Sequence, residues 1–190
     1  GYGQTSTVGA DTGNVSFGNI GTGYLYPFPV SQITYRSPKT GGFQIAVGAM
    51  DPNKSSATSE ESSPRLEAEA TFAGEFDGGS YMAWLGGMSQ SSETAGGSKI
   101  DSNGVSYGVN VKVAGLSITA SGFDAEGVGL AGLGHVITAN TDVDGYLLQG
   151  SYSFGNERLV GSYGENKGGT TIGGSDLDLE NSALAWFHKI

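Results

Sequence analysis

Residues 65–76 read Arg-Leu-Glu-Ala-Glu-Ala-Thr-Phe-Ala-Gly-Glu-Phe. Every second residue gives Leu66, Ala68, Ala70, Phe72, Gly74 and Phe76. The alternate set is Arg65, Glu67, Glu69, Thr71, Ala73 and Glu75. A strand sends successive side chains to opposite faces. One face is therefore apolar, and the other carries all four charges. A helix competes for this stretch, because Glu and Ala are good helix formers. At helical spacing, however, Glu67 and Glu69 fall on different faces and no apolar stripe forms. Pro64 before the segment and Asp77-Gly78-Gly79 after it also suit a strand. An apolar face and a charged face over this length are what a strand needs to cross a membrane around a wet interior.

The same rhythm extends outward along the chain. Strands are predicted at 28–36, 43–50, 65–76, 80–89, 104–113, 116–124, 143–154, 157–164 and 179–190. In 104–113, Val105, Tyr107, Val109, Val111 and Val113 oppose Ser106, Gly108, Asn110 and Lys112. Short turns at 37–42, 77–79, 114–115 and 155–156 alternate with polar or Gly-rich loops of about fourteen or more residues, at 51–64, 90–103, 125–142 and 165–178. Residues 1–27 read as loop. The expectation is an all-β, antiparallel up-and-down meander of about nine strands, with no helical period in any long window. Strict short–long alternation puts the turns at one end of the sheet and the loops at the other. Outer-membrane barrels have that polarity. Tyr35 and Phe43 flank one short turn, Phe76 and Tyr81 the next, and Phe154 borders another. Aromatic rings favour a membrane–water boundary, although strands favour aromatics in any setting.

Composition bounds the remaining classes. The chain has 190 residues with 34 glycines and 5 prolines, and no three-residue glycine period, which excludes collagen. Hydrophobic content is 37%, low for a thick packed core, yet those residues are ordered by a period of two. Such a chain has a large sheet rather than a large core. A net charge of −10 argues against nucleic acid. Cysteine is absent, so disulfides and thiolate metal sites are excluded. No apolar run is long enough for a membrane-spanning helix, and barrel strands escape that criterion. The chain lacks an initiator Met and a signal peptide at Gly1, as expected of a processed chain or a fragment.

Motifs for covalent chemistry are weak. Gly104-Val105-Ser106-Tyr107-Gly108 matches Gly-x-Ser-x-Gly, but Ser106 lies in an alternating strand rather than on a strand-to-helix turn. A hydrolase would lose activity in Ser106→Ala. Gly127, Gly129 and Gly132 match a dinucleotide fingerprint without the βαβ unit that makes it work. Residues 173–179 resemble one copy of a calcium-binding nonapeptide, which acts only in arrays. His135 and His188 are too far apart in sequence to read as a local zinc pair. No enzyme activity, metal or cofactor is expected. That leaves the polar faces, where parity puts Arg36, Arg65, Glu67, Glu69, Glu75 and Lys112. In a channel, charges so placed set a transverse field across the lumen. The rival class is a soluble secreted or surface β-rich binding or adhesin module, possibly calcium-binding, which would need the valine face of 105–113 covered by protein.

Gly18-Asn19-Ile20-Gly21-Thr22-Gly23, then Gln32-Ile33-Thr34-Tyr35-Arg36-Ser37, then Gly42-Phe43-Gln44-Ile45-Ala46-Val47, resemble the Gram-negative general-diffusion porins. The later hairpins 105–124 and 143–163 are also similar to porin strands. The resemblance implies an integral outer-membrane channel for passive diffusion of small hydrophilic solutes and ions. It further implies contact with outer-membrane lipid and a homotrimeric parent protein. Residues 1–27 would be the end of a constriction loop carrying Asp11, and 28–190 transmembrane hairpins with long outer loops. Arg36 would match a lumen-facing arginine. Family barrels have roughly sixteen strands and end in an aromatic residue. The chain is therefore expected to be an internal segment, 1–190 forming a partial barrel domain. Net acidity and lumen carboxylates suggest mild cation preference.

Overall fold

The structure, a computed structural model, describes residues 23–24, 30–52, 61, 63–94, 96–128, 141–172 and 175–189. Nine strands form one antiparallel sheet in sequence order. They are β1 (Gln32–Arg36), β2 (Phe43–Met50), β3 (Arg65–Phe76), β4 (Gly79–Glu93), β5 (Lys99–Val113), β6 (Leu116–Glu126), β7 (Asp142–Phe154), β8 (Glu157–Ile172) and β9 (Ser175–His188). Alternation sets the register. Leu66, Ala68, Ala70 and Phe72 pair with Ala49, Val47, Ile45 and Phe43 on one side, and with Ser89, Gly87, Leu85 and Ala83 on the other. A slip of one residue would turn each apolar side chain to the polar face.

Two predicted loops are corrected. Residues 90–103 are mostly strand, because β4 runs to Glu93 and β5 starts at Lys99. Most of 165–178 is likewise strand, in β8 and β9. Their polar residues fall on both faces, so no alternation marks them as strand. Backbone pairing alone carries the ladder past the apolar region. The first strand is shorter than predicted, starting at Gln32. β2 and β3 coincide with their predicted limits.

The tight turns hold one end of the sheet. Ala114 (φ 48°) and Gly115 (φ 84°) both lie in the left-handed region, as a two-residue hairpin matched to strand twist requires. Ala114 adopts it at a steric cost that glycine does not bear. A small cluster of Phe123, Ala125, Val128 and Val143, with Met88 and Leu179 against it, packs at the opposite end. Among the described residues this is the one buried apolar cluster, so the sheet has no central core of its own.

Candidate functional site: the two faces of the sheet

Register carries one face from strand to strand. Following pairs from β1 to β9, one face holds Ile33, Tyr35, Ile45, Val47, Phe72, Leu85, Val109, Val111, Ile118, Leu148, Tyr152, Leu159, Leu184 and Trp186. All are solvent-exposed large hydrophobic residues, and Ile33 reaches 84% exposure. A soluble protein does not leave so continuous an apolar face bare. Tyr35, Phe43, Phe76 and Phe154 edge this band beside the turns, and Tyr107, Tyr146 and Tyr163 stand toward the other end. Beyond those tyrosines the same face becomes acidic, with Asp124 opposite Asp144, Glu126 opposite Asp142, and Glu165 opposite Glu180. Glu165 accepts hydrogen bonds from Tyr146 Oη at 3.0 Å and Tyr163 Oη at 3.4 Å, and pairs with Lys167.

The other face is polar, and in β5 its side chains are the less exposed set, as on a concave wall. A concavity of ≈ 900 Å³ is lined by Arg36, Glu67, Glu69, Trp84, Ser106 and Thr119, among others. Arg36 pairs with Ala46 and Ala46 with Glu69, so Arg36 and Glu69 lie two strands apart in one row. At the usual strand spacing that is about 10 Å. Glu67 faces the same concavity and meets Arg65 Nε at 2.7 Å. Arg65 is almost enclosed, at 3% exposure, so its charge is spent on Glu67 rather than offered to the open space. Glu75 and Lys112 lie away from this group, near the turns, with Ser80 between them in register. Asp11 lies outside the described residues. The predicted polar-face residues thus divide into one group of Arg36, Glu67 and Glu69, a buried Arg65, and a turn-end pair.

Several residues of this wall escaped the sequence reading. Trp84 is on the concave face and its indole lies across Gly108; a Cβ on Gly108 would meet Trp84 Cζ2 at 2.2 Å. The stretch 80–89 has apolar residues on both parities, so only counting through the turn from Phe76 reveals where Trp84 points. Asn166 is fully buried and accepts a hydrogen bond from the Gly23 backbone N–H at 2.5 Å. Gly23 therefore sits against the concave side of β7 and β8, 143 positions away in sequence. No local signal marks that contact. Ser106 is an ordinary wall residue inside β5, with no helix following. His188 meets Glu157 at 2.6 Å beside the turns, and Trp186 Nε1 donates to the same carboxylate. Among the described residues no group of His, Asp and Glu is arranged to hold a metal ion.

An antiparallel meander with an apolar convex face, aromatic edges and a polar concave face is the wall of a transmembrane β-barrel. The comparisons with known proteins define the family. The sequence profile of Gram-negative porins matches residues 1–190, and the chain belongs to that family. It is an integral outer-membrane protein. A solved structure of similar fold is the outer membrane channel DcaP of Acinetobacter baumannii, with a TM-score of 0.64 and 20% sequence identity. The match covers 82% of this chain and 48% of that one, so this chain spans about half that channel's length. No curated protein sequence matches it.

Proposed function

We propose that this chain is part of the wall of a passive diffusion channel for small hydrophilic solutes and ions. The observation that carries the reading is the division of the sheet, with a lipid-compatible face on one side and Arg36 and Glu69 in one row of the concave wall on the other. A channel acts by bore, charge placement and desolvation, without covalent chemistry. The parent barrel would hold roughly sixteen strands and assemble as a homotrimer, with lipid around the trimer. Docking of Gly23 on the concave face supports an inward course for the segment ending near residue 27, as a constriction would require.

The net acidity of the chain is not the charge of its lumen. Among the described side chains of β4 to β9 the concave positions carry no carboxylate; the acidic residues there belong to the convex face, beyond the tyrosines except for Glu157 beside the turns. Among the described residues of the strands, inward carboxylates come from β3, as Glu67, Glu69 and Glu75. They share the concave wall with Arg36, Arg65, Lys112 and Arg158, so local geometry rather than total charge sets selectivity.

Planar-bilayer recordings of the full-length protein test this reading. In a salt gradient, Arg36→Gln should move the reversal potential toward cation selectivity and Glu69→Gln toward anion selectivity. Both shifts should shrink above about 1 M salt, where screening acts within a few ångströms. Absence of unitary conductance from correctly inserted protein would defeat the proposal.

A further inference from the structure

We propose an oxyanion-binding station on the concave wall at the turn end, formed by Lys112, Ser117, Ser151, Ser153 and Arg158. All five line one recess of ≈ 380 Å³, separate from the concavity that holds Arg36 and Glu69. Its ligand is a small solute bearing a carboxylate or phosphate group. The inference rests on the channel reading for its biological sense, but the site itself stands on geometry.

Register assembles it. Lys112 pairs with Ser117, Ser117 with Ser151, and Ser153 with Arg158. Lys112 and Ser151 are two strands apart, about 10 Å between backbones. From the other side Arg158 Nη2 donates to Ser151 Oγ at 3.2 Å. That bond uses Ser151 as an acceptor, and the hydroxyl keeps a proton of its own to donate. A serine hydroxyl both accepts and donates, and guanidinium offers paired N–H groups that match oxyanion geometry.

The charges are otherwise unspent. Among the described residues neither Lys112 nor Arg158 has a carboxylate within ion-pair distance. The nearest inward carboxylate by register is Glu75, two strands from Lys112 beyond Ser80. Elsewhere in the protein Arg65, Lys99 and Lys167 each pair with an acid. Two cations without an acid partner and three hydroxyls line one recess, with the nearest inward carboxylate two strands away, and together they define a site for a negative group. Chloride would pass it; a group with two or more oxygens would dwell.

Calorimetric titration of the full-length protein in detergent at low ionic strength tests the station, with inorganic phosphate and malonate as separate probes. Saturable binding of either is expected. Phosphate alone would assign a phosphoryl ligand, and malonate alone or both a carboxylate-bearing one. The double variant Lys112→Gln, Arg158→Gln should weaken binding by about tenfold or more, since both charge-assisted contacts go. Ser151→Ala, too small a change to threaten folding, should weaken it about threefold. Arg36→Gln should leave it unchanged. The station is overturned if neither probe binds, if the double variant binds like the parent, or if binding follows Arg36 instead. Conductance is a separate readout: a conducting protein that binds neither probe loses the station and keeps the channel.

Discussion

Asn166 shows how much one buried amide can decide. It lies on the concave side of β8 in a niche that bulkier neighbours would close; a Cβ at Gly145 would meet its Oδ1 at 2.6 Å and Phe123 Cε1 at 2.5 Å. A buried side chain that polar persists because its oxygen is used, here by the Gly23 amide. Asn166→Ala removes the acceptor and leaves that N–H without it. Such a loss costs about 1–3 kcal/mol. Hydrogen exchange at Gly23 should therefore speed up by about tenfold or more, while exchange in β5 stays as it is. Unchanged exchange at Gly23 would mean that something other than Asn166 holds it. Trp84 acts at the same scale. Its ring lies flat against the wall only because Gly108 has no side chain there.

Single strands carry the membrane argument, and β5 states it most plainly. Val105 to Val113 alternate with Ser106, Gly108, Asn110 and Lys112, and the exposed set is the apolar one. Val109 is the middle of that apolar run. An arginine there would sit at hydrocarbon depth, at a cost of about 2–4 kcal/mol for a barrel strand. Val109→Arg should lower the unfolding free energy in lipid vesicles by that order, whereas Asn110→Arg, one residue along but facing water, should cost less, about 0.5–1.5 kcal/mol from the lateral hydrogen bonds it gives up. Equal effects at the two positions would remove the distinction between the faces. Inner side chains bind the wall laterally: Asn110 Nδ2 donates to Thr119 Oγ1 at 2.8 Å and to Ile118 O at 3.1 Å.

At the scale of the molecule, the sheet is open among the described residues. There β1 and β9 each have one neighbour in the strand order, so each presents an unpaired edge. Unpaired backbone groups are costly in hydrocarbon, and exposed edges recruit other chains. A polypeptide of residues 1–190 alone should therefore aggregate or fail to insert, and should give no unitary conductance. The full-length protein should insert and conduct. Stable insertion of the isolated segment as a conducting monomer would contradict the barrel-wall reading.

The sequence by itself determined the strand count, the order, and which residues share a face. Side-chain direction alternates strictly along a strand, so Leu66 and Glu67 could not both face water. It also placed Arg36, Glu67, Glu69 and Lys112 on the polar side for the same reason. It could not mark the strand extensions at 90–103 and 165–178, where both faces carry polar residues and no alternation survives. Only the tertiary structure decided that Arg65 is enclosed beside Glu67, that Gly23 lies against Asn166, and that Lys112 and Arg158 line one recess. Those facts depend on lateral register and sheet curvature, which bring together residues far apart along the chain.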